Sequence, residues 1–195
     1  MDLGGVLFAE GTGAFVRSFP AAQQAAVRDL LRSPAAMDLR RGRLEEATFW
    51  RWCAPRLPEG WDVSRFRDGW YGAYTPNREI FDWVRSVKGT ISLTIFSGNI
   101  RSRVEWLHER NPFRDLFDEE VWSFEHGTTK PEPAFPRALL RVLGVPARDI
   151  FYIDDKPAPL AAAADLGVSG FLYSPGRVAT LREEVDAFVA RPPEF

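Results

Sequence analysis

The run Ile150-Phe151-Tyr152-Ile153-Asp154-Asp155 limits the possible folds of this chain more than any other feature. Four apolar residues in a row end on two adjacent carboxylates, and an Ala-rich stretch follows. An apolar run without alternation suits a strand buried on both faces, as in parallel sheets covered by helices. Two further runs end in a similar way. Met1-Asp2-Leu3-Gly4-Gly5-Val6-Leu7 puts an aspartate at a strand exit, and Ile91-Ser92-Leu93-Thr94-Ile95-Phe96 stops at Ser97. Lys130 stands before Pro131, between Ser97 and the acidic pair. Open α/β sheets gather ligands at the carboxyl ends of their strands. Asp2, Ser97, Lys130 and Asp154-Asp155 meeting on one such edge describe a site for a phosphate and a divalent metal.

From Thr90 the chain alternates between strand and helix patterns. Strands are expected at 91–96, near Glu120 to Ser123, at 150–153 and from Gly170 to Tyr173. Helices are expected at about 100–110, at 133–143, at 157–166 and from Thr180 to Val189. Such alternation means right-handed βαβ units and a parallel sheet. Residues 2–8 read as the tail of a buried strand, followed by a loop with Gly11 and Gly13. Between Ala21 and Lys88 the apolar residues take helical spacing: Leu30 and Leu31, then Phe49 and Trp50, then Phe66, Trp70, Ile80 and Val84. The expected fold is therefore α/β, a three-layer Rossmann-like parallel sheet with a small helical cap after the first strand. Residues 1–12 and 89–195 form the core and 13–88 the cap. Pro192 and Pro193 suggest a frayed tail.

Composition narrows the function. With 195 residues, 45% of them hydrophobic, the chain can bury one core and a small accessory lobe. A net charge of −2 gives no electrostatic reason to expect nucleic acid. The single cysteine, Cys53, excludes an internal disulfide framework and reads as a core thiol. No signal-peptide pattern and no long apolar stretch is found, so a cytoplasmic protein without membrane contact is expected.

The set Asp2-Leu3-Gly4-Gly5-Val6, Ser97-Gly98-Asn99, Lys130-Pro131 and Asp154-Asp155 resembles the four motifs of the haloacid dehalogenase-like hydrolase superfamily. The helical insert and the stretch Gly127-Thr128-Thr129-Lys130-Pro131-Glu132-Pro133 are similar to its phosphatase-like branch with a helical cap. So is the phrase from Arg41 to Trp50. The resemblance spans essentially the whole chain.

It implies a Mg²⁺-dependent phosphomonoester hydrolase acting on a small phosphorylated metabolite such as a sugar phosphate, as a monomer or homodimer. Asp2 would be the nucleophile, forming an aspartyl-phosphate that water later cleaves. Ser97 and the amides of Gly98 and Asn99 would hold the phosphoryl oxygens. Lys130 would neutralise phosphate and nucleophile. Mg²⁺ would be held by Asp154 directly, Asp155 through water, one oxygen of Asp2 and the carbonyl of Gly4. Two adjacent carboxylates at a buried strand end repel each other unless a cation joins them.

Two departures stand out. Gly4 occupies the position where the phosphatase pattern has a second aspartate as general acid, a loss of roughly 10²–10⁴-fold in rate. Glu10, Asp38 or water are substitute proton donors. Only Met1 precedes Asp2, so either the true start lies further upstream or the strand carrying the nucleophile is nearly absent and a weakened sheet is expected. Three alternatives follow: a dehalogenase attacking carbon, a lyase or cyclase holding a diphosphate, and a catalytically silent binding protein. The aromatic residues of the cap read mainly as its own core. Arg40, Arg41 and Arg43 suggest a second anionic group or a solvated face. His108 and His126 read as structural.

Overall fold

The computed structural model describes residues 1–191; the tail expected at Pro192 and Pro193 lies outside them. In chain order the elements are β1 (Phe8–Glu10), α1 (Thr12–Arg17), α2 (Ala21–Arg32), α3 (Pro34–Arg40), α4 (Glu46–Cys53), α5 (Val63–Gly72), β2 (Tyr74–Pro76), α6 (Arg78–Val87), β3 (Thr94–Ser97), α7 (Arg101–Arg110), β4 (Glu119–Trp122), α8 (Ser123–His126), α9 (Ala134–Leu143), β5 (Phe151–Asp154), α10 (Pro157–Ala164), β6 (Ser169–Leu172) and α11 (Val178–Val189). From β3 onward this is the alternation that the sequence predicts.

Two parallel pairs, β3 with β4 and β5 with β6, are joined by the first residues of the chain. The Met1 nitrogen donates to Thr94 O and Phe96 N–H donates to Met1 O, both at 2.8 Å, while Asp2 N–H donates to Ile153 O at 2.8 Å. Met1 thus bridges β3 in the parallel pattern, and the order across the sheet is β4, β3, Met1–Leu3, β5, β6. The weakened centre expected from sequence takes a specific form. Met1–Leu3 links the carboxyl halves of β3 and β5, and an apolar cavity of about 460 Å³ lies between their amino-terminal ends.

Residues 2–8 do not form one strand. Gly5 has φ +90 and turns the chain, after which β1 leaves the sheet and pairs antiparallel with β2, Ala9 facing Thr75. This ribbon carries the chain into and out of the helical insert. Local chemistry sets the helices there. Ser33 caps α3 by accepting from Ala36 N–H at 3.2 Å, with Pro34 at the first helical position. Asp62 caps α5 by accepting from Arg65 N–H at 2.8 Å.

The buried residues divide according to these elements. Phe15, Leu31, Phe49, Trp50, Cys53, Phe66, Trp70 and Tyr71 form the core of the insert, as expected for its aromatic residues. Burial pushes the Cys53 thiol up to about 11, so it is an inert core group. The expected cap boundary at 88 is not the boundary of packing. Ile80, Phe81, Trp83 and Val84 of α6 belong to the sheet's cluster with Leu3, Val6, Ile95 and Ile153. The helix is strongly amphipathic, with Arg78, Glu79, Asp82 and Arg85 outward, and its apolar face covers the sheet rather than the insert.

Candidate active site

The carboxyl edge of the sheet brings the expected residues together. Asp2 follows the bridging residue Met1, Ser97 ends β3, Asp154 ends β5, and Lys130 reaches in from the loop after α8. Lys130 Nζ lies 2.9 Å from Asp2 Oδ1 and 2.7 Å from Asp154 Oδ2. Asp154 is fully buried and Asp2 is 6% exposed, so this is an ion triad shielded from solvent. Around it, Leu3 N–H donates to Asp2 Oδ1 at 2.8 Å and Lys156 N–H donates to Asp154 Oδ1 at 2.9 Å. The Tyr152 hydroxyl donates to Asp154 Oδ2. Burial raises the Asp154 carboxyl, but the charge and hydrogen bond of Lys130, joined by the hydrogen bonds from Tyr152 and the Lys156 amide, together hold it below the ordinary carboxylate value.

Oxygen atoms of Asp2, Asp154 and Asp155 all lie within 4.8 Å of one another. Hard carboxylate oxygens at one strand edge suit a magnesium-type cation. Gly5 makes the grouping possible: a Cβ there would run into the Asp155 carboxylate, and its φ of +90 disfavours any side chain. Gly5→Ala should cost roughly 1–2 kcal/mol from the backbone alone, read as a lowered urea midpoint, and should displace Asp155.

Burial raises the Asp155 carboxyl; Lys156 opposes this, while Asp2 and Asp154 add to it. A carboxyl raised in the folded state contributes stability below its unfolded value near 3.8, and that contribution is lost as pH rises through the folded value. At neutral pH without metal, ionised Asp155 is therefore a net cost. Asp155→Asn should raise the melting temperature in EDTA and shrink the gain produced by Mg²⁺; a lower melting temperature in EDTA would contradict this. Asp154 has the opposite sign. Its contribution is present above 3.8 and lost as pH falls through its lowered value.

Of the residues expected to hold the phosphoryl oxygens, Ser97 ends β3 and Gly98 follows it at the same edge, but the Asn99 amide is turned to another partner. Ser97 and Asn99 are each 2% exposed, and Asn99 N–H donates to Ser123 Oγ at 3.0 Å. A Cβ on Gly98 would lie 2.5 Å from Thr129 Oγ1, so glycine lets the loop meet the Lys130 segment. The peptide between Lys130 and Pro131 is cis.

Two of the substitute proton donors are held in ion pairs. Glu10 pairs with Arg17 at 2.9 Å and Asp38 with Arg41 at 3.3 Å. Arg41 also donates from Nε to Glu132 at 2.9 Å, clasping the insert to the Lys130 loop. His108 accepts from Phe113 N–H at 3.2 Å and holds a turn, as expected of a structural histidine. His126 closes the short helix α8.

Tyr74, one of the cap aromatics that read mainly as cap core, lays its ring over Gly4: a Cβ there would meet Tyr74 Cε1 at 3.0 Å. The Tyr74 hydroxyl shares a hydrogen bond of 2.9 Å with Thr12. Lys156, which follows the acidic pair, reaches Asp155 Oδ1 at 3.1 Å. Its position next to Asp155 was the available signal. Arg103, buried on α7 beside Tyr74, carries no signal in the sequence pattern.

No family model matches the chain. An uncharacterised protein of Dictyostelium discoideum is 28% identical over 219 residues, covering 94% of this chain and 93% of its own. A predicted HAD-like family hydrolase from Porphyromonas gingivalis superposes with a TM-score of 0.80 at 23% identity, over 94% of this chain and 95% of that one. A HAD family enzyme from Bacteroides thetaiotaomicron, in complex with magnesium and inorganic phosphate, gives 0.77 at 19% identity over 90% and 92%. An L-2-haloacid dehalogenase from Xanthobacter autotrophicus, with chloropropionic acid covalently bound, gives 0.65 at 17% identity over 98% and 82%. No helix among the described residues is long and apolar enough to cross a membrane.

Proposed function

We propose that this chain, which has the haloacid dehalogenase-like fold, is a Mg²⁺-dependent hydrolase of small phosphomonoesters such as sugar phosphates. The observation that carries the reading is Lys130 Nζ between Asp2 and Asp154, with Asp155 completing a group of three carboxylates. A lysine here offsets the charge that an incoming phosphate adds, and three hard oxygen ligands offer a cation a place beside the nucleophile. The Bacteroides neighbour's complex with magnesium and phosphate supports the same assignment.

Each residue then has a task. A carboxylate oxygen of Asp2 attacks phosphorus; the Asp2 O–P bond forms as the ester P–O bond breaks. Ser97 and the amide of Gly98 hold phosphoryl oxygens, while the Asn99 amide stays on Ser123 Oγ, and Lys130 Nζ, 2.9 Å from Asp2 Oδ1, orients the nucleophile and balances its charge. Asp2, Asp154, Asp155 and the Gly4 carbonyl would hold the cation, which when bound supplies charge neutralisation between nucleophile and phosphoryl group. With Gly4 covered by Tyr74, the departing oxygen takes its proton from solvent, which favours substrates with good leaving groups. Water then attacks phosphorus, releasing phosphate and restoring the Asp2 carboxylate.

The test is phosphate release from 4-nitrophenyl phosphate and a sugar-phosphate panel, with Mg²⁺ and with EDTA. Mg²⁺-dependent release is expected, fastest for 4-nitrophenyl phosphate. Release unaffected by EDTA, or none from folded protein, would overturn the reading. A second reading, attack of Asp2 on a halogen-bearing carbon, is favoured by Gly4 and by the Xanthobacter neighbour. It predicts halide release from 2-chloropropionate without Mg²⁺, and it leaves the clustering of Asp155 without a purpose.

A further inference from the structure

Two arginines beside this site each carry a buried donor without a partner. Arg103 on α7 is 2% exposed, and its Nε donates to Asn99 Oδ1 at 2.7 Å. Its guanidinium carbon lies 4.9 Å from the Trp70 ring centroid and 4.7 Å from that of Tyr74. Its Nη1 is buried and has no hydrogen-bond partner. Arg40, at the end of α3, is fixed through its carbonyl, which accepts from Ser123 Oγ at 2.7 Å. Its Nε is likewise buried without a partner. Burial, and then the charge of Arg103, pull the Arg40 guanidinium down to about 10, so Arg40 stays charged at neutral pH and feels Arg103 as a like charge. Their neighbour Arg41 meets two carboxylates, whereas no carboxylate among the described residues pairs with Arg40 or Arg103.

Both are tied to the cradle. Asn99 holds Arg103, and the hydroxyl of Ser123 that binds the Arg40 carbonyl also accepts from the Asn99 amide. Tyr74, under the Arg103 guanidinium, is the ring that lies on Gly4, two residues from Asp2. Unpaired buried donors on two like charges are costly in a folded protein. An acidic group carried by the ligand would satisfy both.

We propose that Arg40 and Arg103 form an anion subsite beside the phosphoryl cradle, and that the substrate is a phosphomonoester bearing a second acidic group, a carboxylate or a further phosphate. The assignment rests on the phosphatase reading for the reacting group, while the subsite itself rests on the two arginines. Stacking on Trp70 and Tyr74 holds Arg103 flat and pre-oriented, so little order is lost on binding. Arg40 comes from the insert and Arg103 from the core, so a bound anion also ties the two together.

The experiment compares kcat/KM within matched pairs: phosphoglycolate against 2-hydroxyethyl phosphate for the carboxylate, and glucose 1,6-bisphosphate against glucose 1-phosphate for the phosphate. The doubly acidic member is expected to win by roughly tenfold or more in at least one pair, and the pair in which it does names the group. Arg40→Gln should bring that ratio close to one. Arg103→Lys, checked for folding by near-UV circular dichroism, should retain part of it; should it not fold, Arg40→Gln decides. Ratios near one in both pairs for the wild type would overturn the subsite. So would an equal loss on both members in Arg40→Gln, which would place the arginines on the reacting phosphate. If no ester is hydrolysed, the phosphatase reading fails, and melting temperature decides the subsite. Malonate raising it in the wild type and not in Arg40→Gln supports the subsite, and no shift overturns it.

Discussion

Asp2→Asn is expected to abolish Mg²⁺-dependent phosphate release, by a factor on the order of 10⁴ or more, as removal of a nucleophile does in other covalent hydrolases. The amide is nearly isosteric and can still accept from Leu3 N–H, which donates to Asp2 Oδ1 in the native chain. Folding should therefore survive, and the loss can be assigned to chemistry. Asparagine lacks the negative oxygen that attacks phosphorus. It also removes one of the two carboxylates that Lys130 bridges, so the variant should bind Mg²⁺ more weakly. Activity within about tenfold of the wild type, with the melting temperature unchanged, would mean that Asp2 is not the nucleophile.

Lys130→Met should damage both stability and catalysis. The Lys130 side chain is 11% exposed, and those of Asp2 and Asp154 are 8% and 0% exposed. Methionine fills much of the same volume but leaves two buried carboxylates facing each other. Removing one partner from a buried ion pair typically costs about 3–5 kcal/mol, and that loss is expected in urea denaturation with EDTA present. Mg²⁺ should restore part of it, because a cation can take over the bridging of Asp2 and Asp154. Turnover should fall by roughly 10²–10³-fold even in saturating Mg²⁺, since the charge that faces the phosphoryl group is gone. A stability change below about 1 kcal/mol would contradict the picture of a shielded triad.

Those two residues, with Ser97, Asp154 and Asp155, are legible because of where they stand in the chain. Ser97, Asp154 and Asp155 close an apolar run long enough to be a buried strand, and runs of that kind place their last side chains on one edge. Lys130 is marked by the motif around it. The insert was legible through its helical spacing, although the fate of α6 was not. An amphipathic stripe says that a helix covers something apolar and not which of two cores it covers. The three-residue strands β1 and β2 are too short to show a period, so the ribbon at the base of the insert was invisible. Arg103 and Tyr74 were missed for a related reason. Their importance comes from contacts with Asn99 and Gly4 that only the folded chain creates. That Met1 bonds to both Thr94 and Phe96 was not visible in sequence either.

The most direct measurement is rapid acid quench of the protein turning over 4-nitrophenyl phosphate with Mg²⁺, followed by mass spectrometry of its peptides. The peptide containing Asp2 is expected to carry one phosphoryl group that is absent in EDTA and absent in Asp2→Asn. Phosphate release without an adduct on Asp2, or with the adduct on another residue, would contradict the assignment of Asp2 as nucleophile.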